Sequence, residues 1–222
     1  MKVFDLKDFS PCVGPQNQVV TPLGKVCFRL KLGKTDLADF TSAFTNNKGD
    51  YVFGWYSDSF DVELLICSPR LHLPDNMQVE GCRAAIYRTL LRDKELACEF
   101  SANWCSDYLW TDGGPDSGEH LEAQTCENDD YVVSIGTQDG EMLHSRAMYN
   151  EMMPAILNSS VDPLALVECT TTGLLVPIER VFLNQLCQVH FVVAWAPKKP
   201  DDVSTWYAVD MSHRDFSGCL LG

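Results

Sequence analysis

Lysine and arginine are absent from the whole stretch between Glu95 and Ser145, 51 residues that carry twelve acids: Glu95, Glu99, Asp107, Asp112, Asp116, Glu119, Glu122, Glu127, Asp129, Asp130, Asp139 and Glu141. The rest of the chain holds 19 acids against 17 bases, so a formal charge of −14 divides into −12 here and −2 elsewhere. A field concentrated in this way repels nucleic acid and anionic membranes and attracts basic partners.

Other absences narrow the possibilities further. No apolar run approaches the roughly 18 residues needed to cross a bilayer, the longest being Phe191 to Ala196. Met1-Lys2-Val3-Phe4-Asp5-Leu6-Lys7-Asp8 carries charges where a secretory signal needs its apolar core, so a cytoplasmic location is expected. The ten cysteines never occur as C-x-x-C. In a reducing compartment they are expected as free, buried thiols rather than disulfides.

The local signatures of common chemistry are missing as well. Neither G-x-x-x-x-G-K-[ST] nor G-x-G-x-x-G occurs, and Gly113-Gly114-Pro115-Asp116-Ser117-Gly118 lacks the apolar strand that a nucleophile elbow requires before it. Cys187-x-x-His190 is the one pair with zinc-like spacing. It falls in a strand-like run, where residues three apart face opposite sides. An EF-hand register started at Asp112 fails, because position 3 is Gly114 and position 6 is Ser117. No metal and no cofactor are expected, and Cys105 with His144 or Cys12 with His213 are arbitrary pairs.

What is present reads as alternating short elements. Lys25 to Leu32 is a strand with Val26, Phe28, Leu30 and Leu32 on its buried face. Thr35 caps an expected helix with Leu37, Phe40 and Phe44 as its stripe, and Asn46-Asn47-Lys48-Gly49 ends it. Tyr51 to Tyr56 and Asp61 to Cys67 form a hairpin about Ser57-Asp58-Ser59. A second helix follows Asp75, with Cys82, Ile86 and Leu90 at i+4; Arg83, Arg88, Arg92 and Lys94 beside it are placed to neutralise part of the acidic stretch.

Thr111 to Asp130, broken by Gly, Pro and Asn, reads as a loop with seven acids. Tyr131 to Gly136 is a strand and Glu141 to Met153 a helix stopped by Pro154. Leu164 to Cys169, Leu174 to Ile178, Leu186 to Ala196 and Ser204 to Val209 complete the strands. The expected fold is α+β, a largely antiparallel sheet of about eight strands with about three helices. It forms a single domain over residues 1–222 with an acidic loop insertion near 111–130.

Within the acidic stretch, Asn103-Trp104-Cys105-Ser106-Asp107-Tyr108-Leu109-Trp110 adds aromatic anchors to the charge. The candidate partner-binding residues are Trp104, Asp107, Tyr108, Trp110, Asp112, Asp116, Glu119, Glu122, Asp129 and Asp130. The expected function is a non-catalytic acidic binder that engages and inhibits a basic protein partner, such as a nuclease toxin or another nucleic-acid-binding protein. Immunity proteins and viral inhibitors share this composition, though no motif. The alternative is a cysteine- and histidine-dependent hydrolase or transferase without a local motif. The competing view of the aromatics is that they are core, with the acids as their solvated neighbours.

Overall fold

The computed structural model describes residues 4–14, 16–154, 162 and 166–216. Fifteen strands and two helices follow in chain order: β1 (Ser10–Pro11), β2 (Gln18–Thr21), β3 (Gly24–Leu32), β4 (Thr35–Asp36), β5 (Ser42–Thr45), β6 (Tyr51–Tyr56), β7 (Phe60–Cys67), β8 (Gly81–Leu91), β9 (Leu96–Trp104), β10 (Asp112–Pro115), β11 (Leu121–Glu127), β12 (Tyr131–Gln138), α1 (Gly140–Met148), β13 (Glu168–Thr170), β14 (Gly173–Val181), β15 (Leu186–Pro197) and α2 (Ser204–Val209). Nine strands form one sheet in the order β1-β5-β6-β7-β8-β15-β12-β11-β10. A second sheet runs β13-β14-β9-β3-β2, with β4 also paired to β3.

With 50% strand, 7% helix and two helices, the expected α+β fold of about eight strands and three helices is overturned. Three local misreadings contribute to the difference. Cys82, Ile86 and Leu90 recur every four residues, and because four is even they also share one side of a strand. That segment is β8, hydrogen-bonded to β7 on one edge and β15 on the other. The expected helix after Thr35 is instead β4 and β5. Gly33, at φ 59, lets the chain reverse in two residues, so that Leu32 pairs with Thr35. The expected strand Ser204 to Val209 is α2, whose first amide donates to Asp202 Oδ1 at 2.9 Å.

Other expected elements are present with shifted ends. In β3, Val26, Phe28, Leu30 and Leu32 are buried and alternate with less buried neighbours. β6 and β7 pair as a hairpin. Helix α1 begins where the side chain of Asp139 accepts from Met142 N at 2.8 Å. It stops at Met148, well before Pro154, because Asn150 and Met152 turn the chain at φ 55 and 52. The expected strand at Leu164 to Cys169 begins partly outside the described residues, and β13 starts at Glu168.

The two sheets face each other across the main core. Phe28 of β3 lies 6.4 Å from Phe191 of β15, and Phe100 of β9 lies 5.5 Å from Tyr87 of β8, ring centre to ring centre. Each such ring contributes about 1.5–3 kcal/mol by leaving water. The nine-stranded sheet is also covered on its outer face, where Phe4, Val209, Met211 and Phe216 pack over Leu65, Ile86, Val192 and Ala194. With both faces covered, β7 is buried at every position from Asp61 to Cys67 and β15 from Cys187 to Ala194, polar side chains included.

Cys27 and Cys105 are joined by a disulfide, with Cα atoms 6.2 Å apart, which corrects the expectation of free thiols throughout. The pairing of β3 with β9 brings them together: Val26 opposes Trp104, and Cys105 N then donates to Lys25 O at 2.8 Å. Among the described residues, no helix is long and apolar enough to cross a membrane.

Candidate functional site

The segment expected as a loop over 111–130 contains an antiparallel hairpin at the edge of the nine-stranded sheet. Strand β10 is the last in the order, and Asp112 pairs with Glu127 of β11. Like charges placed opposite each other repel. Lys198, arriving from the end of β15, relieves this pair by donating to Glu127 Oε1 at 2.7 Å. That hydrogen bond, followed by the fields of Glu127, Asp129 and Asp112, holds the Lys198 ammonium above its usual range.

Asp112, Asp116, Glu119, Asp129 and Asp130 are exposed, and Glu122 is half-buried. Asp116 accepts from Thr125 Oγ1 at 2.8 Å and Glu122 from Ser117 Oγ at 2.5 Å. The turn between the strands is held from a distant element. The indole of Trp206 in α2 donates to the Asp116 carbonyl at 3.0 Å and lies where a side chain at Gly118 would be, 2.2 Å from an ideal Cβ. Only glycine leaves room for that ring.

The aromatic segment is the crossover from β9 in the smaller sheet to β10 in the larger one. Trp104 is buried in the main core, 6.5 Å from Trp110, so for this residue the core reading is the one realised. Trp110 is half-buried and stacks on Tyr108 at 4.3 Å. Asp107, Tyr108 and Leu109 are exposed, Leu109 to 63%. The arm is pinned by Leu109 N donating to Leu23 O at 2.7 Å and by the Cys27–Cys105 bond.

Three of the four bases upstream are engaged away from this edge. Arg83 lies 3.7 Å from Asp50, Arg92 pairs with Asp61, and Arg88 donates to Gln188 at 2.9 Å while opposing Glu63 across the strands. Within the acidic stretch Glu95 pairs with Arg180, Glu99 with Lys31 at 3.0 Å, and Glu127 with Lys198. Among the described residues no Lys or Arg pairs with Asp107, Asp112, Asp116, Glu119, Glu122, Asp129 or Asp130; Glu119 has only His120 at 3.8 Å. The charge that remains is therefore collected along one sheet edge and the arm leading to it.

A groove of about 370 Å³ lies beside this hairpin, lined by Asp116, Glu127, Asp201 and Asp202 together with Lys198 and Trp206. Trp206, Lys198 and the two aspartates escaped the sequence reading because they belong to a distant segment. The only signal for Lys198, Asp201 and Asp202 was Pro197-Lys198-Lys199-Pro200-Asp201-Asp202, a charged turn. A larger cleft of about 1090 Å³, lined by Lys7, Lys48, Arg70, Asp8 and Asp50 among others, lies by β5 and the start of β6, and its charges are mixed.

Six of the described thiols are held protonated by burial. Burial pushes Cys82 and Cys187 up to about 12 and Cys126 up to about 11, and it raises Cys12, Cys98 and Cys169 too. An attacking cysteine needs the opposite shift. Cys105 is in the disulfide, so it is no partner for His144. Cys187 points into the inter-sheet core, while His190 lies on the outer face against Phe216 at 4.7 Å.

The chain thus belongs to the class of all-β proteins built from two facing antiparallel sheets. No protein-family profile matches its sequence, and no curated protein matches it. Among solved structures it is similar to a putative kojibiose phosphorylase from human microbiome, with a TM-score of 0.45 and 8% identity over 96% of this chain. The chain spans 28% of the length of that protein. A likeness of this size carries no argument about function.

Proposed function

We propose that this chain is a non-catalytic binding protein that engages and inhibits a basic protein partner through the β10–β11 edge and the arm before it. One observation carries the reading: the carboxylates of Asp107, Asp112, Glu119, Asp129 and Asp130 are exposed on contiguous structure with no Lys or Arg paired to them among the described residues. Exposed like charges on a sheet edge gain little for folding, and they give a basic surface a strong long-range attraction. The carboxylates take the places where a nucleic-acid-binding protein's Lys and Arg meet phosphates, and Tyr108 and Leu109 supply apolar contact that charge alone lacks. The proposed compartment is a cytosol, which keeps the buried thiols reduced; the Cys27–Cys105 bond is the feature that weighs toward an oxidising one.

The test is capture from the source cell at low and high salt, using the wild type and the variant D112K/E119K/D129K/D130K. These four side chains avoid the Thr125–Asp116 and Ser117–Glu122 bonds that shape the turn. A basic protein retained at low salt, released at high salt and lost with the variant is expected. Equal capture by both proteins overturns the proposal.

A further inference from the structure

On the outer face of the nine-stranded sheet, register sets polar side chains side by side. Glu63 of β7 opposes Arg88 of β8, and Arg88 opposes Gln188 of β15. The row continues into Arg146 of α1, which donates from Nη2 to the Gln188 carbonyl at 2.9 Å and from Nη1 to Gln138 Oε1 at 2.8 Å. His190 and His213 border it. Gln138, Arg146, Gln188 and His190 are each at most 2% exposed, and His213 is 7% exposed.

Arg146 is a buried cation whose hydrogen-bond partners are neutral. Besides Gln138 and Gln188 it donates to the carbonyls of Glu151 at 3.2 Å and Met152 at 3.4 Å. The field of the Glu151 carboxylate reaches it, but the oxygens of that carboxylate are engaged by His213, at 3.1 Å, and by Arg214. Burial holds the guanidinium below its usual range, to about 10, and it remains charged at neutral pH.

Both glutamines are oriented by arginines. Arg88 Nε donates to Gln188 Oε1 at 2.9 Å, and Arg146 donates to Gln138 Oε1. Neither amide can flip without turning its NH₂ onto a guanidinium. Their Nε2 groups are buried and have no partner among the described residues, as is true of His190 Nδ1 and His213 Nδ1. Four amide N–H bonds against two bare imidazole nitrogens leave donors in excess beside a cation. A water molecule brings lone pairs together with O–H bonds that need acceptors of their own, whereas an anion brings lone pairs and countercharge at once.

We propose that this buried seam binds a small inorganic anion of the halide class, held by Gln138 Nε2, Gln188 Nε2 and the Arg146 guanidinium. The site is independent of the acidic edge. It lies beneath residues 211–216, where the Met211 carbonyl meets His190 Nε2 at 3.0 Å and Phe216 covers the imidazole.

The experiment is thermal unfolding of the full chain in sodium chloride and in sodium gluconate at matched ionic strength, together with anomalous diffraction from crystals grown in bromide. The midpoint is expected to rise with chloride by roughly 3–5 °C per tenfold above the dissociation constant, with no such rise in gluconate. A bromide peak should lie within hydrogen-bond distance of both amide nitrogens. Gln188→Met should erase the chloride-specific rise and leave the common salt response. If that variant does not fold, the two wild-type measurements still decide. Superimposable curves in the two salts overturn the proposal, and so does a bromide peak without a chloride effect in solution, which would mean binding at crystal concentration only.

Discussion

The indole N–H of Trp206 bonds the carbonyl of Asp116 at 3.0 Å, across 90 residues of chain, so the acidic turn is held in place by the final helix. Removing that donor while keeping an aromatic ring should loosen the turn without collapsing the fold. Trp206→Phe is expected to cost about 0.5–1.5 kcal/mol and to raise amide exchange rates over 116–121. Unchanged exchange there would mean that the hairpin holds itself.

The aromatic segment divides into core and surface. Trp104 fills the inter-sheet core, and Trp104→Ala should cost about 3–5 kcal/mol in a urea titration. Leu109 is exposed, so Leu109→Ala should stay within about 0.5 kcal/mol of wild type. If Leu109 contributes an anchor, the same variant weakens capture of the partner while leaving the urea midpoint in place.

His190 and His213 make the fold acid-sensitive. Burial pushes their imidazoles down, to about 3 and about 4, with the Arg146 guanidinium adding to both. The unfolded chain takes up these protons near the ordinary value of 6.5, and the folded chain does not. Stability is therefore fully present above pH 6.5 and is lost as pH falls toward about 4, by up to about 1.4 kcal/mol per unit for each ring. Urea midpoints between pH 7 and pH 5 should show the decline, and a His213→Gln variant should show a shallower one.

Cysteine chemistry separates into two behaviours. Native protein treated with iodoacetamide at pH 8 should label slowly at Cys82, Cys98, Cys126 and Cys187, whose thiols burial holds protonated. After unfolding without reductant these four should label at once. Cys27 and Cys105 should stay protected and appear as one linked peptide pair by mass spectrometry. Rapid native labelling at one of the four would revive the thiol-nucleophile reading.

Much of the strand content was legible along the chain. The alternation at Val26, Phe28, Leu30 and Leu32 identifies a half-buried strand because only a period of two keeps those four on one face. Cys82, Ile86 and Leu90 defeat the same logic, since a spacing of four satisfies both a helix and a strand. β10 was hidden for another reason: Asp112-Gly113-Gly114-Pro115 has no apolar face, and it is a strand only because β11 offers it a ladder. The helix at 204–209 is too short to show a helical period, and its Thr205, Trp206, Tyr207 and Val209 are residues that favour strands.

By itself the sequence determined how charge is divided along the chain, with −12 in one stretch, and which segments alternate strongly enough to become strands, because both are properties of neighbouring residues. Tertiary structure alone decided which of those acids stay unpaired. Whether Asp112 or Glu127 meets a cation depends on Lys198, 71 residues beyond Glu127, and whether Arg83 and Arg92 quench the acidic stretch depends on Asp50 and Asp61 lying closer. Ion pairing falls off within a few ångströms, so it is settled by strand register and sheet order.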